Sequence, residues 1–228
     1  MLHRFRRVVF FTGAGMSAEC GIPTYRGPGG TWQEYRWEEY ACQAAFDTDP
    51  ERVWEFHQAQ RKLAQDCTPH PGYYQIAAWQ QQRPDIAIIT QNIDGMHQAS
   101  GSTNVLELHG SLWSVRCEVC GVSQEHREVP ISELRHSCGR FWRPDLVWFG
   151  DCLDRGNLAA ARHSVRNSDL LVVVGTSGIV YPAAQLVVEA RSFGAYVVEI
   201  NTETTNLTSS CDESLRGAAS EILSNWVV

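Results

Sequence analysis

Short, nearly continuous apolar runs recur along the chain at 8–11, 86–89, 105–108, 170–174 and 196–200. They are rich in Val, Ile, Leu and Phe, and most are followed by Gly, Asn or Asp. A run that is apolar at successive positions fits a strand buried on both faces. Helical patterns lie between and after these runs, roughly at 50–66, 71–82, 156–167, 182–193 and 213–225. Strands alternating with helices predict the α/β class: a parallel, Rossmann-like sheet covered on both sides. Two segments break the alternation. Residues 28–70 are aromatic and charged and read as helices, and 113–147 carry a Cys-x-x-Cys pair among polar turns. Both read as insertions that form a smaller, helical and zinc-ribbon-like lobe. The expected organisation is one domain over 1–228, with a large lobe at about 1–27, 71–112 and 148–228 and a small lobe at about 28–70 and 113–147.

In such sheets ligands bind just beyond the C-terminal ends of the strands. The residues there are Gly13-Ala14-Gly15, Gln91-Asn92-Ile93-Asp94, His109-Gly110, Gly175-Thr176-Ser177 and Asn201. The first group opens GAGMSA, a variant of the turn that brings a pyrophosphate onto a helix N-terminus. Ser17 is placed to cap that helix. A hydride-transfer enzyme should continue to a second strand and an acidic residue about 20 positions on. Instead the chain runs into GIPTYRG, PGGTW and QEYRWEEY, where no strand is visible and Arg26 is within a loop's reach of a phosphate. Asp94 fits either a carboxamide acceptor or a helix cap. His109, at a strand end, is the side-chain type that exchanges protons near neutral pH.

Composition changes this picture little. The chain has 228 residues, 43% of them hydrophobic and 20% charged, an ordinary globular balance. A formal charge of −7 with no long basic run argues against nucleic acid as the main partner. The apolar stretch after MLHRFRR stops within four residues, too short for a signal core or a membrane span, and reads as the first strand. Of eight cysteines, only Cys117 and Cys120 form a close pair, which favours a reduced, cytoplasmic protein over a disulfide scaffold. Cys117, Cys120 and Cys138, with His136 as fourth ligand, compose a Cys3His set suited to structural zinc.

GAGMSAECGIPTYRG, TQNIDGMH, LELHG, the cysteine segment, RPDLVWFGD and VVGTSGIVYPA occur in the order and near the spacing of the sirtuins, which the chain resembles over nearly its whole length. The resemblance implies an NAD-dependent protein-lysine deacylase, with NAD consumed as a co-substrate rather than reduced. By that resemblance Gly13, Ala14, Gly15, Ser17 and Arg26 would border the pyrophosphate and ribose, and Tyr25 the nicotinamide end. Gln91, Asn92 and Asp94 would hold the ribose and carboxamide; Gly175, Ser177 and Asn201 would meet the adenosine half. His109 would be the catalytic base, acting with Asn92 and Asp94. Val147, Trp148, Phe149 and Gly150, with Gly178 to Tyr181 and so Val180, would pair an acylated-lysine peptide by strand addition.

The sequence departs from the family in two places. One metal cysteine is replaced by His136. The branch that removes acidic acyl groups keeps a small residue where Ala41 stands, then a Phe at Phe56 followed by Tyr-x-x-Arg; here the last two positions hold His57 and Gln60. A buried carboxylate without a cation costs several kcal/mol, so acetyl or a longer uncharged acyl is the expected substrate. Three alternatives stay open at this point. Arg61, four residues after His57, could serve a desuccinylase or demalonylase; the same NAD cleavage could drive protein ADP-ribosyl transfer; or the chain could be a decayed NAD-binding module.

Overall fold

The structure is a computed structural model and describes residues 4–226; residues 1–3 and 227–228, the extreme ends of the expected 1–228 domain, lie outside it. In chain order the strands are β1 (Val8–Thr12), β2 (Ala87–Thr90), β3 (Val105–Glu107), β4 (Gly110–Cys117), β5 (Val122–Glu125), β6 (Arg143–Leu146), β7 (Leu170–Val174), β8 (Tyr196–Asn201) and β9 (Glu213–Arg216). The helices are α1 (Ala14–Ala18), α2 (Thr31–Glu34), α3 (Trp37–Tyr40), α4 (Gln43–Thr48), α5 (Pro50–Asp66), α6 (Pro71–Gln82), α7 (Met96–Ala99), α8 (Arg155–Arg166), α9 (Gln185–Ser192) and α10 (Ala219–Asn225).

Six strands form one parallel sheet in the order β3-β2-β1-β7-β8-β9. The chain steps outward from β1 to β3, then returns to the other side of β1 as β7. The C-terminal ends of β1 and β7 therefore flank the topological switch point, where such sheets leave a crevice. The continuous apolar runs have a direct cause. Phe10 and Val172 pack on one side with Tyr73, Ile76 and Leu223. Their neighbours Phe11 and Val173 pack on the other with Ala161, Val165 and Leu186. Successive residues point to opposite faces, and both faces are covered.

The second sheet is antiparallel, β5-β4-β6, and α5 packs on β4. Asp49 starts α5 by accepting a hydrogen bond from the Arg52 N–H at 3.0 Å, with Pro50 in the first turn. Val53, Trp54, Leu112, Val115 and Trp142 form a separate apolar cluster there. Buried in the same place, Arg61 donates to the carbonyls of Leu112, His126 (2.7 Å) and Glu128 (2.8 Å). It ties α5 to β4 and to the segment after β5.

One expected helix is wrong at its start. Residues 213–216 are the edge strand β9, not the first turn of a helix over 213–225. Glu-Ser-Leu-Arg alternates between half-buried and exposed positions, the strand period of two. Gly217, at φ +154°, then separates strand from helix. Of the remaining expected elements, 50–66, 71–82 and 170–174 coincide with α5, α6 and β7, and the others differ at their ends by one to three residues.

Candidate active site

The loops after β1 and β7 cross at the switch point. Gly13 N–H donates to the Val174 carbonyl at 2.9 Å, and Gly15 N–H to the Gly175 carbonyl at 2.8 Å. Gly175 adopts φ +62°, and a Cβ there would lie 2.2 Å from the Met16 nitrogen. A Cβ on Gly15 would meet the Gly175 oxygen at 2.8 Å. Only glycine allows this crossing, and it exposes the start of α1 to a cavity of about 1270 Å³. Gly13, Ala14, Gly15, Tyr25, Arg26, Gln91, Asn92, Gly175, Ser177 and Asn201 all border that cavity.

Ser17 and Asp94, predicted with them, do not; they are buried behind Asn92. Ser17 lies inside α1, whose N-cap is Gly13, so its hydroxyl is not a cap. That hydroxyl donates to Asp94 Oδ2 at 2.6 Å and accepts from Asn92 Nδ2 at 2.9 Å. Its one proton is thereby used, so the Tyr73 hydroxyl 2.7 Å away must be a donor to it. Asn92 Nδ2 also reaches the Gly13 carbonyl at 3.0 Å. Asp94 Oδ1 accepts from the Met96 N–H at 2.9 Å, but the N-cap of α7 is Gly95 and not Asp94; burial pushes the Asp94 carboxyl above the usual range. Trp113 Nε1–H closes the bracket on the Asp94 carbonyl at 2.7 Å. The result is a fully bonded support that fixes the Asn92 side chain against the glycine turn.

His109 lies between β3 and β4. Its Nδ1 is 2.9 Å from the Gln91 carbonyl, which can only accept, so Nδ1 carries the proton and Nε2 keeps a lone pair. The ring borders the cavity, and burial lowers its pKa from 6.5; the Gln91 carbonyl opposes this shift, and the Arg26 guanidinium adds to it. On the backbone, the His109 carbonyl accepts from the Val147 N–H at 2.9 Å. A neutral, oriented imidazole therefore stands on the cavity wall.

Ala41, Phe56, His57, Gln60, Val147, Phe149, Gly150 and Val180 border the same cavity. Trp32 joins its two ends, stacking on Tyr25 at 5.7 Å and on Phe56 at 5.9 Å between ring centres. Ile179 and Tyr181, 52% and 73% exposed, form an apolar rim. In 147–150 the N–H groups of Val147, Trp148 and Phe149 are already bonded, to His109, Asp151 and Ala41. The Trp148 carbonyl already accepts from the Asp151 N–H at 3.0 Å, which leaves the Val147 and Phe149 carbonyls as the more open acceptors for an added strand. Arg61 does not reach the cavity. Its guanidinium is held on three carbonyls and lies 5.1 Å from the Trp113 ring centre, which removes it as a partner for an acyl carboxylate.

In the small sheet, Cys117, Cys120, His136 and Cys138 offer ligand atoms that all lie within 4.8 Å of one another. Cys117 Sγ and Cys138 Sγ are 3.6 Å apart, and His136 Nδ1 is 3.0 Å from Cys138 Sγ. Zinc–sulfur bonds of about 2.3 Å in a tetrahedron place sulfurs about 3.8 Å apart, so the cluster fits a structural zinc. Two similar turns build it. Cys-Glu-Val-Cys-Gly and His-Ser-Cys-Gly each end in a glycine of positive φ, +67° at Gly121 and +84° at Gly139. With four protein ligands the ion would have no open position, and its role would be to pin β4 to the 136–138 turn.

Residues 13–182 match the model of the Sir2 family. The chain belongs to the Sir2 family. A curated relative, NAD-dependent protein deacylase 2 of Pyrobaculum aerophilum, is 45% identical over 100% of this chain and 92% of its own length. A solved Sir2 homologue, a mutant in complex with ADP-ribose, superposes with a TM-score of 0.92 at 40% identity, covering 96% of this chain and 90% of its own. A second Sir2 structure, holding a deacetylated p53 peptide and 3'-O-acetyl-ADP-ribose, gives 0.87 at 29% identity, covering 97% and 92%.

Within this Sir2 chain, some residues that build the site carry no sequence signal. Tyr73 and Trp113 complete the bracket from α6 and β4, outside the quoted motifs. Thr176, in a turn the motifs do mark, accepts from Gln91 Nε2 at 3.0 Å, and its carbonyl accepts from Asn201 Nδ2 at 3.1 Å. Its place between two predicted cofactor residues is visible only once the strands are adjacent.

Proposed function

We propose that the protein is an NAD-dependent protein-lysine deacylase that removes acetyl or longer uncharged acyl groups. The observation that carries this reading is the single cavity. A glycine crossing for a pyrophosphate lies at one end, an aromatic-walled pocket that Arg61 does not enter at the other, and a neutral histidine on the wall they share. Gly13, Ala14, Gly15 and Arg26 take the pyrophosphate; Gly175, Ser177 and Asn201 take the adenosine half; Tyr25, Gln91 and Asn92 hold the ribose and nicotinamide. Ser17 and Asp94 act from behind, by fixing Asn92. Ala41, His57, Gln60, Val147, Phe149, Gly150 and Val180 take the acyl-lysine and its peptide, with Ile179 and Tyr181 as the apolar rim.

NAD supplies the ADP-ribosyl group when its bond to nicotinamide breaks. The protein's part is to hold the acyl oxygen and the ribose carbon in one enclosure, which makes the encounter effectively intramolecular. His109 Nε2 takes a proton from a ribose hydroxyl so that the acyl group can pass to it. Overall, NAD, acyl-lysine and water become nicotinamide, lysine and O-acyl-ADP-ribose. The acceptor is a sugar, so the acyl step is a transfer rather than simple hydrolysis.

The described cysteines are all unpaired, which supports a reduced, cytoplasmic setting. No described helix is long and apolar enough to cross a membrane. We assign no nucleic-acid partner, in keeping with the net charge of −7. Mass spectrometry of one peptide carrying acetyl-, butyryl- or succinyl-lysine, incubated with NAD, tests the reading. Loss of the uncharged acyl with matching O-acyl-ADP-ribose is expected. An ADP-ribose added to protein with no acyl loss would move the answer to the transferase alternative.

A further inference from the structure

The Cys-Glu-Val-Cys turn carries a carboxylate between two of the cysteines that fit zinc, and its contacts run inward toward the cleft. Glu118 Oε2 accepts from Gln43 Nε2 at 3.0 Å, and its Oε1 lies 3.5 Å from Arg143 Nε. Gln43 Oε1 accepts from the same Arg143 Nε at 2.8 Å. Arg143 opens β6 and is 0% exposed, with its guanidinium carbon 3.7 Å from the Trp148 ring centre. One terminal nitrogen donates to the Leu146 carbonyl at 3.1 Å and the other to Asp151 Oδ2 at 2.6 Å. A single buried cation thus touches the metal turn on one side and the segment after β6 on the other.

Asp151 closes a tight turn in that segment. Its N–H donates to the Trp148 carbonyl at 3.0 Å, with Gly150 at φ +90° as the third residue of the turn. Its Oδ2 accepts from the Trp148 N–H at 3.0 Å, so one carboxylate oxygen holds both the turn and Arg143. The turn directly follows Val147 and contains Phe149, whose carbonyls are the open acceptors for an added strand. Buried ion pairs add little stability over well-packed apolar residues of similar volume. What a planar guanidinium does supply is direction, because each N–H takes one acceptor in a fixed fork. Here the acceptors lie on both sides of the boundary between the metal turn and the peptide segment.

We propose that Arg143 is a positioning residue for the acyl-lysine peptide, carrying the placement of the metal turn, through Glu118 and Gln43, to Asp151 and the 148–151 turn. This rests on the deacylase reading and on the fit of the cysteine cluster to zinc. Arg143 does not border the cavity. Its loss should therefore be felt in peptide binding and not in NAD binding or the chemical step.

The test is steady-state kinetics on an acetyl-lysine peptide, with peptide KM, NAD KM and kcat measured separately and zinc content and melting curves alongside. Arg143→Met keeps a long chain against Trp148 and removes every donor. Peptide KM should rise about tenfold or more, the worth of a charged hydrogen bond. On the same scale kcat and NAD KM should stay within about threefold, with zinc content unchanged. Glu118→Gln, at an exposed position, removes only the charge and should raise peptide KM about two- to threefold. The double variant should match R143M, because Glu118 acts through Arg143. An unchanged peptide KM in folded R143M, an equal rise in both KM values, a loss confined to kcat, or additive effects in the double variant overturns the proposal and leaves deacylation standing. If R143M does not fold, E118Q decides alone: an unchanged peptide KM overturns the proposal. No turnover by the wild-type enzyme overturns the deacylase reading itself.

Discussion

The two ends of the cavity are built on opposite rules. At the cofactor end every member of the Ser17, Tyr73, Asn92 and Asp94 cluster is bonded, and two glycine loops lock against each other. At the acyl end aromatic rings pack closely, with Trp148 stacked on the buried His57 ring. A co-substrate that never varies suits a rigid, saturated support. A variable substrate suits a wall of packed rings, whose contacts depend on shape more than on fixed hydrogen bonds. His109 stands between them, and the strongest prediction concerns it. His109→Ala should lower deacylation by roughly 10²–10⁴-fold, the ordinary worth of a positioned general base. NAD affinity by calorimetry should stay within a few-fold, since the glycine crossing is untouched. Unchanged turnover would remove His109 from the chemistry.

Arg61 tests whether the acyl end has been drawn correctly. Arg61→Met should destabilise the protein by about 2–4 kcal/mol in denaturant unfolding, because buried carbonyls lose a charged donor. The ratio of succinyl to acetyl turnover should not move; a fall in that ratio would return Arg61 to the pocket. Tyr73→Phe sharpens the cofactor end. It removes one hydrogen bond from Ser17 and should raise KM for NAD about five-fold, in line with a bond of about 1 kcal/mol. The acyl preference should be unaffected. The smallest effect is in pH. His109 must be neutral to accept a proton, and its pKa lies below 6.5. Activity should therefore persist as pH falls through 6.5 and decline only below it; an acid limb centred above 6.5 would contradict the burial argument.

Much of the fold is legible in the pattern. Runs such as VVFF and LLVVV are apolar throughout because both faces of the sheet are covered, and together with the helical stretches between them they imply the parallel α/β core. The edge strand β9 escaped because Glu-Ser-Leu-Arg is polar on its outer face and resembles a helix start. The cofactor loops were legible because each directly follows a strand. Tyr73 and Trp113 were not, since their roles arise from contacts between distant segments. Arg61 misleads for a related reason. Sequence places it one helical step from the pocket, but only the fold reveals that three carbonyls already hold it.

The central claim is that one cavity couples cleavage of NAD to the presence of an acyl-lysine. The direct measurement is nicotinamide release with NAD alone and with an acetyl-lysine peptide added. The account predicts that release depends on the peptide and matches the freed lysine one for one. Equal release without the peptide would contradict it.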